Sequence, residues 1–107
     1  MTRSPCPYLG GEVELTDERE RHIAERHPDL LPAHRDRLAE TLADPDDVRR
    51  SRRFGDARLF SRWFDSVRGG KHVVVVVVSE SGRLRHWVIT AYIARRLAEG
   101  EVEWVRT

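Results

Sequence analysis

A chain of 107 residues is long enough for one domain with a modest core and too short for two. Charged residues make up 35% of it, yet the formal net charge is only +1, so a polyanionic partner would have to meet a local patch. Of the 19 Lys and Arg residues all but Lys71 are arginine, and Cys6 is the one cysteine, which excludes an intrachain disulfide and any thiolate-rich zinc site. The N-terminus shows no charged-then-apolar signal pattern, and the valine run at 73–78 is far too short to span a bilayer. No membrane association is expected, and a reducing cytosol is the expected compartment.

Residues 1–10 hold Pro5, Pro7 and Gly10 with no period and predict a flexible N-terminal arm, leaving 11–107 as a single domain. Val13 and Leu15 alternate as in a short edge strand. Thr16 is placed to cap a helix, with Asp17 and Glu18 adding negative charge to its first turn. This helix should run to about Arg26, because Pro28 disfavours helical geometry at His27 and makes it a helix-end residue. Leu31, Leu38 and Leu42 fall on one face of a second helix starting near Leu31 and ending before the turn sequence Asp44-Pro45-Asp46-Asp47.

From there β-branched and aromatic residues predict strands near 48–53, 58–66, 72–79 and 85–93. The valine run lacks polar alternation, as expected of a central strand covered on both faces. Gly69-Gly70 before it and Glu80-Ser81-Gly82 after it are turn sequences, which predicts an antiparallel meander. A helical turn over 94–99 and a last strand over 101–105 complete the chain. The expected fold is α+β, with two N-terminal helices packed on one face of a four- to five-stranded antiparallel sheet. Along 85–93, alternation sends Trp87, Ile89, Ala91 and Ile93 to the core, and His86, Val88, Thr90 and Tyr92 to an open face.

Chemistry concentrates first in the segment from His22 to Pro28. His22 and Arg26 are four residues apart, hence separated by about 40° on one helix face, and can act on one ligand. An imidazole moves protons near neutral pH, and a guanidinium holds a phosphate through a two-point fork. His27 would lie about 140° from His22 if the helix continued, so a two-histidine metal site is not expected and no cofactor is implied. The interleaved Glu18, Arg19, Glu25 and Arg26 equally describe a solvated charged face.

A second concentration comprises Arg49, Arg50, Arg52, Arg53, Arg58 and Arg62, interleaved with Phe54, Phe60, Trp63 and Phe64. Cations for phosphates and rings for bases are the content of an RNA-binding surface. The same residues also suit core aromatics flanked by edge-strand protection. Arg62 shares the parity of Phe60 and Phe64 and so needs a partner. Lys71 opens the central strand, as a cation at the sheet rim or as a gatekeeper beside the valines.

Taken in order, Leu15-Thr16 leading into His22-Ile23-x-x-Arg26-His27-Pro28, then Leu42-x-Asp44-Pro45-Asp46-x-Val48, the valine strand and Val88-Ile89-Thr90-Ala91-Tyr92 resemble the phage-associated branch of the barnase, EndoU, colicin and RelE-like (BECR) nuclease superfamily. The resemblance covers about residues 12–93. It implies a RelE/barnase-like fold and a metal-independent, toxin-like endoribonuclease in which the ribose 2′-hydroxyl attacks the adjacent phosphate to give a cyclic phosphate. By motif position it implies catalytic roles for His22, Arg26, His27, Thr90 and Tyr92. Arg62, Lys71 and His86 would contact substrate. RNA, and a cognate antitoxin or immunity protein, are the implied partners. The pronounced basic excess of ribosome-dependent members is absent here. The alternative expectation is a non-catalytic module that uses the same open face to bind RNA or a protein.

Overall fold

The computed structural model describes residues 1–53, 56–80, 85–97 and 99–107. Local sequence sets both helices. In α1 (Asp17–Arg26) the Thr16 hydroxyl accepts the Arg19 amide at 3.2 Å, while Asp17, Glu18 and Glu20 sit at the positive end of the helix dipole. The helix closes on His27, whose amide donates to the Ile23 carbonyl at 2.7 Å, and Pro28 stops further propagation. Helix α2 (Arg35–Ala43) begins later than the leucine stripe suggests. Pro32 has no amide to donate and holds Leu31 out of helical geometry, so Leu30 and Leu31 are buried from turns instead.

The strands are β1 (Thr2–Cys6), β2 (Gly11–Leu15), β3 (Asp47–Ser51), β4 (Ala57–Phe64), β5 (Lys71–Glu80), β6 (Arg85–Ala94) and β7 (Gly100–Val105). They form one sheet in the order β1-β2-β6-β5-β4-β3-β7. This corrects the expected four- to five-stranded antiparallel sheet. Among the described residues there are seven strands, and the sheet is mixed, because β2 lies parallel to β6 while every other neighbouring pair is antiparallel. The physical reason is that both helices separate β2 from β3. No hairpin ties β2 to the meander, and it docks beside β6 with β1 outside it.

The expected flexible arm is likewise corrected. Ser4 and Cys6 alternate inward from β1 and are buried, and a one-turn 3₁₀ helix (Pro7–Leu9) with Gly10 at φ 72° turns the chain into β2. Pro5 is tolerated because β1 is an edge strand, where its missing amide faces no neighbour. At the other edge, among the described residues, β7 pairs only with β3. Arg95 and Arg96 form a bend where a helical turn was expected. Phe54 and the expected turn at Ser81-Gly82 lie outside the described residues.

Both helices cover one face of the sheet. There Ile23, Leu38 and Leu42 pack with Val13, Val48, Phe60, Phe64, Val73, Val75 and Val77 in the main core. The opposite face carries a smaller cluster of Ala57, Leu59, Val74 and Val76, with Val78, Ile89, Tyr92 and Ala94 packed against it. The connection from β6 to β7 has to cross β5, β4 and β3, and Glu99 lines a groove with Leu59 and Val76, which puts the crossing on this second face.

Strand β6 departs from simple alternation. Val76 pairs with Thr90 but Val77 pairs with Val88, so Ile89 is an extra residue and the side-chain parity inverts there. Val88 and Ala91 are buried under the helices, with Ile93 packed against the same core. Ile89 and Tyr92 belong to the other cluster, and Thr90 lines its groove. The expected division is corrected accordingly: His86 and Val88 side with Ala91 and Ile93, while Trp87, Ile89, Thr90 and Tyr92 share the open face. Among the described residues no helix is long and apolar enough to cross a membrane.

Candidate functional site

The open face holds a groove of about 220 Å³ floored by Leu59, Val76 and Ile89, with Thr90 and Tyr92 on one side and Ser51, Arg53 and Glu99 around the rim. An apolar floor with a few convergent polar groups is the usual construction of a small binding site. Tyr92 is half-buried here, and burial pushes its phenol above the ordinary tyrosine range. The hydroxyl therefore stays protonated and able to donate at neutral pH.

Tyr92, on the open face, also reaches the edge of β6 where α1 ends. Among the described residues strand β2 pairs with β6 at Val13/His86 and Glu14/Trp87, and α1 lies along the later part of β6. The end of α1 brings the His27 ring to 6.0 Å from the Tyr92 ring, centroid to centroid, with the planes tilted by 40°. An imidazole from the helix and a phenol from the strand thus meet at one edge, with Thr90 in the adjoining groove and Arg26 next to His27 in sequence.

The remaining expected site residues lie elsewhere. His22 is exposed and lines a shallow depression with Glu18, Arg21 and Glu25, and Arg26 is exposed at the last turn. His86 is buried on the helix-covered side, where its Nδ1 lies 2.7 Å from the Ser79 hydroxyl; burial first, then the nearby Arg58, lowers its pKa. Arg62 has the partner its parity requires: it pairs with Asp44 at 3.4 Å and stacks 5.2 Å from the Phe64 ring. Lys71 caps a turn, its Nζ donating to the carbonyls of Arg68 at 2.9 Å and Gly70 at 3.1 Å. Of the aromatics in the arginine-rich stretch, Phe60 and Phe64 are core, while Trp63 is exposed and packs edge-on against His72 at 5.0 Å.

Two sets of residues escaped the sequence reading. Ser51, Ile89 and Glu99 line the groove only because of the extra residue in β6 and the crossing connection, and spacing signals neither. The Glu103 carboxylate accepts Arg58 Nε at 2.9 and 3.2 Å and the Tyr8 hydroxyl at 3.1 Å, and lies 3.2 Å from Arg50. Burial alone would raise the Glu103 pKa, but the hydrogen bond and charge of Arg58, joined by Tyr8 and Arg50, outweigh it and hold the carboxyl below its usual range. This cluster fastens the 3₁₀ turn, β4 and β7 together across the sheet and leaves those cations engaged. Among the described residues no three His, Cys, Asp or Glu side chains are grouped to hold a metal ion. Comparison with protein-family models, with curated proteins and with solved structures found no match.

Proposed function

We propose that the chain is a metal-independent endoribonuclease of the BECR kind that cleaves RNA by 2′-hydroxyl transesterification, acting in the cytoplasm. The observation that carries the reading is the apposition of His27 and Tyr92 at the edge of the open groove. In this reading a neutral His27 takes the 2′-hydroxyl proton and Tyr92 supplies a proton to the departing 5′-oxygen. Each such transfer contributes ~10²–10⁴ in rate. Arg26 offsets charge building on the phosphate, and Thr90 and Arg53 hold the neighbouring nucleotide over Leu59 and Ile89. His22 lies on the approach along α1 and would bind substrate before cleavage. Arg62, Lys71 and His86 are engaged by other partners and have no part in the reaction as drawn.

The test is incubation of the purified protein with defined RNAs in EDTA, with detection of cyclic-phosphate ends. Cleavage lost in both His27→Ala and Tyr92→Phe is the expected result. Cleavage unchanged in both, or absent from the unaltered protein, rejects the assignment. In the absence of cleavage, RNA binding that is weakened by Tyr92→Ala would favour the non-catalytic binding module, for which the apolar groove floor and its polar rim are the supporting observation.

A further inference from the structure

Trp63 is 43% exposed on a strand whose Leu59, Phe60, Ser61 and Phe64 are buried. Its neighbours hold it there. The Trp63 amide donates to the Asp46 carboxylate at 2.8 Å, the indole Nε1 donates to Asp65 at 2.7 Å, and the ring meets His72 edge-on at 5.0 Å. Gly70, at φ 104°, brings its backbone so close that a Cβ there would lie 2.7 Å from the ring. The N–H is the one donor an indole has, and Asp65 occupies it, so the exposed ring offers a ligand its π surface alone.

We propose that Trp63 is a second subsite of the open face, stacking one base of the single-stranded RNA that enters the groove, an inference that rests on the ribonuclease reading. The sheet register supplies the placement. Along β5, His72, Val74 and Val76 share the open side: Val76 floors the groove, Val74 pairs with Tyr92, and His72 pairs with Trp63. Val76 and His72 are four residues apart, roughly 13 Å, with the Tyr92 row midway between them. A strand held at both places therefore passes the reacting groups. Bases stacked in a regular duplex follow at about 3.4 Å, so this span calls for splayed, unpaired bases. Stacking on an aromatic ring suits such bases whatever their sequence. Cations for the phosphates are at hand, because Arg95 and Arg96 are exposed and follow Ala94, the residue paired with His72. Of the two carboxylates bonded to Trp63, that of Asp46 is also paired with Arg106 at 3.2 Å.

The test titrates the full chain with a short single-stranded 2′-O-methyl RNA, in which the attacking hydroxyl is blocked, and follows tryptophan emission. Saturable quenching is expected. Trp63→Leu keeps an apolar cover over Gly70 but no ring, and should weaken binding about tenfold, whereas Trp63→Phe should keep most of it. Binding by Trp63→Leu equal to that of the unaltered chain, or a duplex of the same sequence bound as tightly as the single strand, would overturn the proposal. If Trp63→Leu fails to fold, ultraviolet cross-linking of the unaltered chain decides: RNA attached at Trp63 supports the subsite, and attachment at other residues alone rejects it. The two readings fail separately. Binding that depends on Trp63 without cleavage of unmodified RNA keeps the subsite and rejects the ribonuclease; cleavage with binding indifferent to Trp63 does the reverse. Neither binding nor cleavage rejects both.

Discussion

The six consecutive valines of β5 are one side chain repeated, yet they end in two different settings. Val73, Val75 and Val77 sit beneath α1 and α2 in the main core, while Val74, Val76 and Val78 face a small cluster under one crossing connection and an open groove. Composition cannot distinguish the two sets. What distinguishes them is parity, and therefore which elements the topology lays over each side. The covered face is built to hold the molecule together, and the open face has room for a ligand.

Adjacent residues of β4 give the sharpest way to break that contrast. Phe60 is fully buried toward the helices and Leu59 is 8% exposed on the open side. Urea denaturation of Phe60→Ala should show a loss of about 3–5 kcal/mol, whereas Leu59→Ala should fall near the low end of the roughly 2–5 kcal/mol range for such truncations. Equal losses would mean that the open face bears as much of the fold as the covered one. For function the ranking should reverse. Tyr92→Phe should lower RNA cleavage ~10²-fold or more while leaving the urea midpoint nearly unchanged.

A smaller effect is expected at Gly70, whose φ of 104° suits glycine and whose added Cβ would lie 2.7 Å from the Trp63 ring. Gly70→Ala should cost roughly 1–3 kcal/mol and move Trp63, which its fluorescence would report. The smallest expected effect is on pH dependence. Burial, opposed by Asp46 and Asp47, lowers the pKa of His72, and burial with Arg58 lowers that of His86. Both folded values lie below the unfolded one, so stability present above about pH 6.5 should be lost as pH falls through the lowered values. His72→Asn and His86→Asn should each flatten this slope, and their relative size assigns it to one face. Glu103 behaves likewise at more acid pH: its contribution is present above about pH 4.3 and is lost as pH falls through its depressed folded value, a limb that Glu103→Gln should remove.

Much of the local structure could be read directly. Thr16, Pro28 and the leucine stripe located both helices because capping and period act within a few residues. The valine run and the Gly69-Gly70 turn placed β5. The long-range features could not be read this way. Pro5 and Pro7 suggested a free arm, but the alternation of Ser4 and Cys6 finds a partner in β2 only because the fold supplies one. The mixed sheet depends on where β2 docks after the helices are laid down, which no local pattern states. At the candidate site Pro28 marked His27 as a helix-end residue, but its direction, and so its meeting with Tyr92, could not be read from the helix stop. The burial of His86 could not be read either, nor could the engagement of Lys71 by its own turn.

The single unpaired residue Ile89 makes β6 a strand with two phases. Upstream of it, even-numbered positions point beneath the helices; downstream, odd-numbered positions do. A deletion at 89 would remove the bulge and restore simple alternation, leaving Val88 and Ala91 beneath the helices and Thr90 and Tyr92 on the open face, still opposite the same β5 valines. Any relative that lacks a residue there should therefore keep nearly the same open surface, short of the Ile89 side chain and the local bend of the strand.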